Sequence, residues 1–246
     1  MDRYQTKRRL LRPLTAWRRR RNQDTNPFTL AVYEAHDYRP SMRRFFEATR
    51  DDRDILIDVD LPEGAVVLDV GAYEGEWCGR VLARAEERGP RDLVIHAFEP
   101  APKAARRLAD ALVDEDRIQV HAYGLAGQDR QLEMHLAGPG SSVYADQVAP
   151  AFGASTVPLR DVATVLTELG VERVDLVKIN IEGGEFELID RLHESGWLAR
   201  TGAMIIQFHE FAPDAYRALR RNRRQLAETH RRTWCYSWVY ERWDPR

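Results

Sequence analysis

Apolar residues along most of the chain fall into short runs that alternate with stretches of helical periodicity. Val66–Val70 and Val174–Ile179 are short, mostly apolar runs, which are typical of strands buried on both faces. Glu76–Arg88 and Glu185–Glu194 have the pattern of helices. Further strands are predicted at Ile55–Val59, Leu93–Phe98, Ile118–Ala122, Gln131–Leu136, Ala203–Phe208 and Trp234–Trp243, and further helices at Ser41–Thr49, Pro102–Val113, Leu159–Leu169 and Ala212–Thr229. This alternation predicts an α/β fold with a mostly parallel sheet and helices on both faces.

The first stretch, Met1–Asn22, differs from the rest because it is basic and carries few apolar residues. We therefore expect a basic, helical N-terminal extension over 1–60 and one domain over 61–246. The predicted helix in this extension directs Phe45 and Phe46 towards the core. Trp17 and its neighbouring arginines have two interpretations: a solvated helix or tail, or a weak peripheral contact with an anionic membrane surface.

Composition and charge narrow the class of protein. The chain of 246 residues is 43% hydrophobic and 31% charged, which suits a globular domain. Its formal net charge of -2 argues against nucleic acid as a partner. No apolar run reaches the roughly 18 residues of a membrane span, and the N-terminus lacks the apolar segment of a secretory signal. Two cysteines are too few for a disulfide framework, so we expect a soluble, cytoplasmic protein.

A glycine turn follows the first buried strand, at the edge of the sheet where parallel α/β proteins bind their ligands. Gly71 and Gly75 enclose three residues, and glycine lets the backbone approach a ligand closely. The spacing G-x-x-x-G differs from the G-x-G-x-x-G of dinucleotide-binding proteins. Glu74 and Glu76 would repel a pyrophosphate, whereas a ligand with a sulfonium and an ammonium group tolerates them.

Two carboxylates lie at strand ends beside this turn. Asp69 precedes the turn and is placed to orient the ammonium group of such a ligand, directly or through water. Glu99 ends the following strand and is placed to accept hydrogen bonds from both ribose hydroxyls. The alternative is that both residues only cap strands and helices.

Three segments resemble the FkbM family of class I methyltransferases. Val67–Gly75 and Phe98–Pro100 match its glycine turn and second strand end, and Val174–Glu185 is similar to its I-D-L-L-K-I-D-V-E-G-A-E segment. The similarity extends from about Val66 to about Phe211. It implies a Rossmann-like fold with a seven-stranded sheet and S-adenosyl-L-methionine as cofactor. It also implies O-methylation of a hydroxyl group on a carbohydrate or secondary metabolite, and hence a small-molecule or glycan acceptor.

The same resemblance places Gly124 and Leu125 near the adenine ring, and Ser141-Ser142 beside the acceptor or the cofactor. Together with the glycine turn, it predicts one cofactor site. The predicted members of this site are Asp69, Gly71, Ala72, Tyr73, Gly75, Glu99, Pro100, Gly124, Leu125 and Asn180.

The catalytic candidates are polar residues at the ends of later strands: Lys178, Glu182, His209 and Glu210. Period-two alternation puts Lys178, Asn180 and Glu182 on one side of their strand. His209 has the unperturbed pKa, about 6.5, that best suits a general base. Lys178 alternatively pairs with Glu182 or Glu210. Glu182 alternatively caps the following helix, and His209 alternatively has a structural role.

Three departures from the family pattern bear on the chemistry. Asn180 and Tyr73 stand where the family usually has Asp and Asn, and His209-Glu210 reverses its usual Glu-His order. The missing carboxylate at Asn180 argues against a metal site. A nucleotide-linked oxidoreductase and a non-catalytic, cofactor-binding relative stay open as alternatives.

Aromatic residues alternate over Trp234–Trp243 near the end of the chain, which predicts one aromatic face on an edge strand. Packing on the sheet or a homodimer interface is the more frequent role of such a face. Stacking on a sugar is the other interpretation.

Overall fold

The structure is a computed structural model that describes residues 41–49, 55–135, 154–210, 212 and 214–246. The segment around Trp17, the loop with Ser141-Ser142, and Phe211 lie outside the described residues. The strands are β1 Val66–Val70, β2 Val94–Phe98, β3 Ile118–His121, β4 Gly124–Ala126, β5 Arg130–His135, β6 Ala154–Asp161, β7 Val174–Ile179, β8 Thr201–Ile206, β9 His230–Tyr236 and β10 Tyr240–Pro245. The helices are α1 at 41–48, α2 Glu76–Arg88, α3 Pro102–Ala111, α4 Val162–Glu168, α5 Glu185–Glu194 and α6 Ala215–Thr229, with a 3₁₀ helix at Trp197–Arg200. None of the helices in these ranges is both long and apolar enough to cross a membrane.

The main sheet has seven strands in the order β3-β2-β1-β7-β8-β10-β9. The first five are parallel, while β10 is antiparallel to both of its neighbours. The predicted α/β fold with a mostly parallel, seven-stranded sheet is therefore confirmed. Because β2, β1 and β7 are adjacent, the polar residues at their carboxyl ends meet at one edge. Asp69 of β1 lies directly opposite Lys178 of β7 in this register.

Helices cover both faces of the main sheet and bury two apolar clusters. Leu68 and Val70 of β1 pack on one face with residues of α4, α5 and α6. Val67 packs on the other face with residues of α2 and α3. A strand whose alternate side chains enter two apolar layers has to be apolar throughout. That requirement explains the continuous apolar run of β1, in which Asp69 is the exception.

The region predicted as one helix, Leu159–Leu169, is instead a strand followed by a short helix. β6 ends at Asp161, whose side chain accepts a hydrogen bond of 2.8 Å from the backbone N–H of Thr164 and caps α4. β6 pairs with β4 and β5 in a second, three-stranded sheet. The prediction was wrong at its N-terminal end because pairing with distant strands overrode the local spacing.

The predicted strand at Ile55–Val59 is also wrong, since residues 55–57 form a turn and the next three have no regular structure. The indole N–H of Trp77 donates a hydrogen bond of 3.1 Å to the carbonyl of Leu56. This bond joins the turn to the first turn of α2.

The aromatic segment Trp234–Trp243 is a hairpin rather than a single edge strand. β9 and β10 pair antiparallel, and the turn between them holds Trp238 at a φ of 60°. Phe45 of α1 packs against Tyr236 and Tyr240, with ring centroids 5.6 and 5.5 Å apart. The structure therefore supports packing within the fold for this aromatic face.

Phe46, which was predicted to face the core with Phe45, is 60% exposed. Consecutive helical residues point about 100° apart, so only one of the two can face the hairpin.

Candidate active site

The glycine turn after β1 is fixed by the end of β2. The backbone N–H groups of Gly71 and Ala72 both donate to the carbonyl of Phe98, each over 3.0 Å. Gly71 and Gly75 have φ angles of 86° and 85°, in the left-handed region that favours glycine. A Cβ on Gly71 would lie 2.0 Å from the carbonyl oxygen of Asn180. Glycine is required here by the close approach of β1 and β7, whatever ligand lies beside the turn.

Glu99 is buried just after β2 and holds both sides of the turn. Its Oε2 accepts a hydrogen bond of 2.9 Å from the N–H of Tyr73, and its Oε1 accepts one of 2.8 Å from the N–H of Ala101. Burial raises the pKa of this carboxyl group, although the two N–H donors act in the opposite direction. Each oxygen has a second lone pair, and Glu99 lines the large cavity described below. Its carboxylate can therefore accept further hydrogen bonds from a ligand.

Asp69 and Lys178 form a buried ion pair beneath the turn. The Nζ of Lys178 lies 2.8 Å from Oδ1 of Asp69 and 3.0 Å from the carbonyl oxygen of Gly71. The other oxygen of Asp69 accepts a hydrogen bond of 3.2 Å from the thiol of Cys78. Burial disfavours the charged form of Lys178, but Asp69 outweighs this effect and the pKa of Lys178 is raised. The predicted direct contact between Asp69 and an ammonium group does not fit, because Asp69 is wholly buried and does not line the cavity described below.

Asn180 follows β7 and is joined to β1 through its backbone N–H, which donates to the carbonyl of Val70 over 2.9 Å. Its side-chain Oδ1 is buried and has no hydrogen-bond partner among the described residues. A buried amide oxygen without a donor costs free energy. This atom is therefore a favourable contact for a hydrogen-bond donor on a ligand.

His209 lies between two carboxylates. Its Nδ1 is 3.2 Å from Oε1 of Glu185, and its Nε2 is 3.5 Å from Oε1 of Glu182. Glu185 also accepts hydrogen bonds from the backbone N–H groups of His209, over 2.7 Å, and of Gly183, over 2.8 Å. Burial alone would lower the pKa of His209, but the bonds to Glu182 and Glu185 raise it to about 9. His209 is an imidazolium near neutral pH, so the ordinary pKa that made it the best-matched base does not apply.

The catalytic candidates separate in space. Glu182 lines the cavity together with Lys178, whereas His209 and Glu210 are not among its lining residues. Glu210 is exposed, and the hydroxyl of Tyr216 lies 3.4 Å from its carboxylate. The alternative in which Lys178 pairs with Glu182 or Glu210 is wrong, since Lys178 pairs with the carboxylate on β1.

One cavity of about 770 Å³ brings most of the predicted site together. Its walls come from the glycine turn, the ends of β2 and β7, the start of β4, and the helices α2, α3, α5 and α6. The predicted residues that line it are Gly71, Ala72, Tyr73, Glu99, Pro100, Gly124, Leu125, Lys178, Asn180 and Glu182. The predicted residues outside its lining are Asp69, Gly75, His209 and Glu210. In the part of the chain that the structure describes, no group of three or more His, Cys, Asp and Glu side chains is placed to hold a metal ion.

One end of this cavity is lined by residues that were not predicted from the sequence. Leu56, Trp77, Arg80 and Tyr240 lie there with Lys178, whose Nζ is 5.9 Å from the centre of the Trp77 ring. A signal for Trp77 was available, because it lies in the first turn of the helix that follows the glycine turn. Nothing near Tyr240 in the sequence indicates that β10 pairs with β8.

Comparisons with known proteins agree with this geometry. A family model described as "Methyltransferase FkbM domain" matches residues 69–228, a range that contains the glycine turn, Glu99, β7 and Glu182. The AMB antimetabolite synthetase AmbE of Pseudomonas aeruginosa is 28% identical over 189 residues, in an alignment that covers 61% of this chain and 9% of AmbE. The chain thus corresponds to a small part of that relative.

A solved structure has the same fold. The crystal structure of Methyltransferase FkbM from Methylobacillus flagellatus KT superposes with a TM-score of 0.54 and 11% sequence identity. The match covers 95% of this chain and 58% of the other chain. At 11% identity, this superposition shows that the two proteins share a fold and shows nothing more.

Proposed function

The chain belongs to the FkbM family of methyltransferases, and from this premise we propose that it methylates a hydroxyl group of a carbohydrate or a secondary metabolite. S-adenosyl-L-methionine is the methyl donor of the family. When bound, this cofactor supplies a methyl group attached to a positively charged sulfur. An oxygen nucleophile attacks the methyl carbon in line with the carbon–sulfur bond, and the sulfur leaves. The chain's own residues have to bind the cofactor, orient the acceptor and take up its proton.

Glu99 is the observation that carries the proposal. Its carboxylate lies at the end of the second parallel strand, where acidic residues of nucleoside-binding α/β proteins accept hydrogen bonds from ribose hydroxyls. Asn180 adds an unsatisfied amide oxygen on the same cavity wall. The volume of about 770 Å³ falls within the range of about 300–1,000 Å³ that is usual for small-molecule sites. The residues present therefore fit an adenosyl cofactor.

We assign the role of general base to Glu182. A base must reach the acceptor proton, and Glu182 is the acidic candidate that lines the cavity. His209 and Lys178 are both protonated near neutral pH because their carboxylate partners raise their pKa values. His209 then acts as a positioning residue, whose Nε2 lies 3.5 Å from Oε1 of Glu182.

The wall formed by α5 and α6 supports a polar acceptor. Asp190 of α5 accepts a hydrogen bond of 2.8 Å from Arg221 of α6, and Arg130 pairs with Glu187. All four side chains line the cavity, so this wall offers charged groups beside apolar residues such as Phe186 and Ala218. The net charge of -2 favours a small molecule or glycan over nucleic acid. The product named in AmbE's description, an antimetabolite, agrees with a role in secondary metabolism. A homodimer and a membrane contact of the N-terminal segment stay predictions.

Calorimetric titration with S-adenosylhomocysteine tests the cofactor site. Glu99→Gln should weaken binding at least about tenfold, because a charge-assisted hydrogen bond contributes about 1.5–3 kcal/mol. Glu87→Gln is the matched control, since Glu87 is exposed on α2 and does not line the cavity. Equal affinities of the two variants would refute the assignment of Glu99, and no binding to the unmodified protein would refute the cofactor site.

Methyl transfer from labelled cofactor to a panel of glycosides, hydroxylated natural products and RNA tests the acceptor. We expect a methyl ether, which resists mild alkali, and we expect Glu182→Gln to abolish its formation without loss of cofactor binding. Labelled RNA or an alkali-labile ester would contradict the proposed acceptor. Cofactor binding with no turnover on any acceptor would favour the non-catalytic alternative.

A further inference from the structure

The end of the cavity next to Lys178 is a distinct corner. It is formed by Trp77 and Arg80 of α2, Lys178 of β7 and Tyr240 of β10, and we call these four residues the Lys178 corner. Trp77 and Lys178 are buried, and Arg80 is partly buried. Two cations and one phenol therefore border the same small space.

The hydrogen bonds of Lys178 account for two of its three donors. One N–H donates to Asp69 and another to the carbonyl of Gly71, and the side chain has no further hydrogen bond to a described residue. An ammonium group has three donors, and a buried donor left without a partner is costly. Because Lys178 lines the cavity, its third donor is available to a ligand there.

Two cationic side chains, Lys178 and Arg80, line the corner, and the acidic Glu182 lines the same cavity. Asp69 balances Lys178 from below, but it is wholly buried and does not line the cavity. Tyr240 stays protonated as a hydroxyl donor, because burial raises its pKa. Glu76, exposed in the first turn of α2, is an acidic side chain that lines the same side of the cavity. This combination suits the α-carboxylate and α-ammonium groups of an amino acid. The carboxylate would lie at the cations, and the ammonium group would lie near the acidic side chain.

We propose that Lys178 binds the α-carboxylate of the cofactor's methionine moiety, an inference that rests on the proposed function. Glu99 follows β2 and Lys178 lies near the end of β7, with only β1 between them. Two strand spacings amount to about 10 Å, a distance of the order that separates a ribose from the carboxylate of its homocysteinyl chain. Asp69 thus acts on the cofactor indirectly, by holding Lys178, and not through the ammonium group.

The test compares two ligands that differ only in the carboxylate. Calorimetry measures the affinity of S-adenosylhomocysteine and of its decarboxylated analogue, S-adenosyl-3-thiopropylamine. The unmodified protein should prefer S-adenosylhomocysteine at least about tenfold, as expected for a charge-assisted bond. In Lys178→Met the preference should fall to within about threefold, mainly through weaker binding of S-adenosylhomocysteine.

A second variant protects the test against misfolding. Removing Lys178 alone leaves the carboxylate of Asp69 buried without a cation, which is strongly destabilising. The double variant Asp69→Asn/Lys178→Met removes both charges and should show the same loss of preference. Arg106→Met is the control, because Arg106 is exposed on α3, does not line the cavity and should leave the preference unchanged.

The outcomes separate this inference from the proposed function. If the unmodified protein bound both ligands equally, or if the Lys178 variants kept the tenfold preference or lost both ligands to the same extent, Lys178 would not be the carboxylate ligand. Absence of binding to either ligand by the unmodified protein would overturn the cofactor site, and this inference with it.

Discussion

Replacing His209 by Gln should change how the stability of the protein depends on pH. Glutamine retains a hydrogen-bond donor of similar size but cannot carry the positive charge that lies between Glu182 and Glu185. In the folded protein the pKa of His209 is raised from 6.5 to about 9 by these carboxylates. The folded state therefore holds the proton of His209 more tightly than the unfolded chain does.

The sign of the effect follows from this difference. Because the folded pKa lies above the unfolded value, the imidazolium stabilises the fold fully below pH 6.5, and that contribution is lost as the pH rises through about 9. Each pKa unit corresponds to about 1.4 kcal/mol, so the whole contribution of His209 is about 3 kcal/mol. The side chain is 6% exposed, so solvent screens this interaction little.

Urea denaturation followed by tryptophan fluorescence at a series of pH values measures the effect. The quantity to compare is the free energy of unfolding of the unmodified protein minus that of His209→Gln. This difference should be about 3 kcal/mol larger near pH 6 than near pH 10. His193→Gln is the control, because His193 pairs with Glu228 at the surface and should give a nearly constant difference. A difference for His209→Gln that does not change with pH would mean that His209 is neutral, and the argument against its role as a base would fail.

Three other outcomes are expected. In the same urea titration, Gly71→Ala should lower the free energy of unfolding by at least about 2 kcal/mol, since a Cβ there meets a backbone oxygen at 2.0 Å. Gly79→Ala on α2 is the control, because its Cβ meets no atom, and it should be neutral or stabilising. Arg223→Met should destabilise the protein by about 3–5 kcal/mol, because it leaves the buried carboxylate of Glu241 without its principal partner; a thermal shift no larger than that of a surface substitution would contradict this. Cys78 should resist iodoacetamide at about pH 8 until urea is added, because burial and Asp69 raise the pKa of its thiol, and mass spectrometry of tryptic peptides reports the modification.

The central strands of the sheet were predictable from sequence. β1, β7 and α5 begin and end at the residues that the apolar pattern indicates. Such strands are buried on both faces by helices, so most of their residues are apolar and the pattern is clear despite Asp69, Asp175 and Lys178. β6 was not predictable, because its place in the second sheet depends on pairing with β4 and β5 rather than on its own spacing.

The residues that line the cavity were predictable in part, whereas the contacts between them were not. Glu99, Lys178 and Glu182 were all identified and all line the cavity. The partner of Lys178 was missed because Asp69 is 109 residues away, and only the register of β1 and β7 brings the two together. The pKa of His209 depends in the same way on partners that are distant in sequence, which the ordinary value of an isolated side chain cannot include.

The contact between Phe45 and Tyr240 has a consequence for where the catalytic unit begins. Tyr240 lines the cavity, and the ring of Phe45 in α1 packs against it. Trp77 also lines the cavity, and its indole is anchored by the carbonyl of Leu56. A chain trimmed to 61–246 would keep every polar residue of the site yet lose the outer layer that supports two of its walls. A unit that keeps both walls supported therefore includes the helix at 41–48, which lies outside the family's matched range of 69–228.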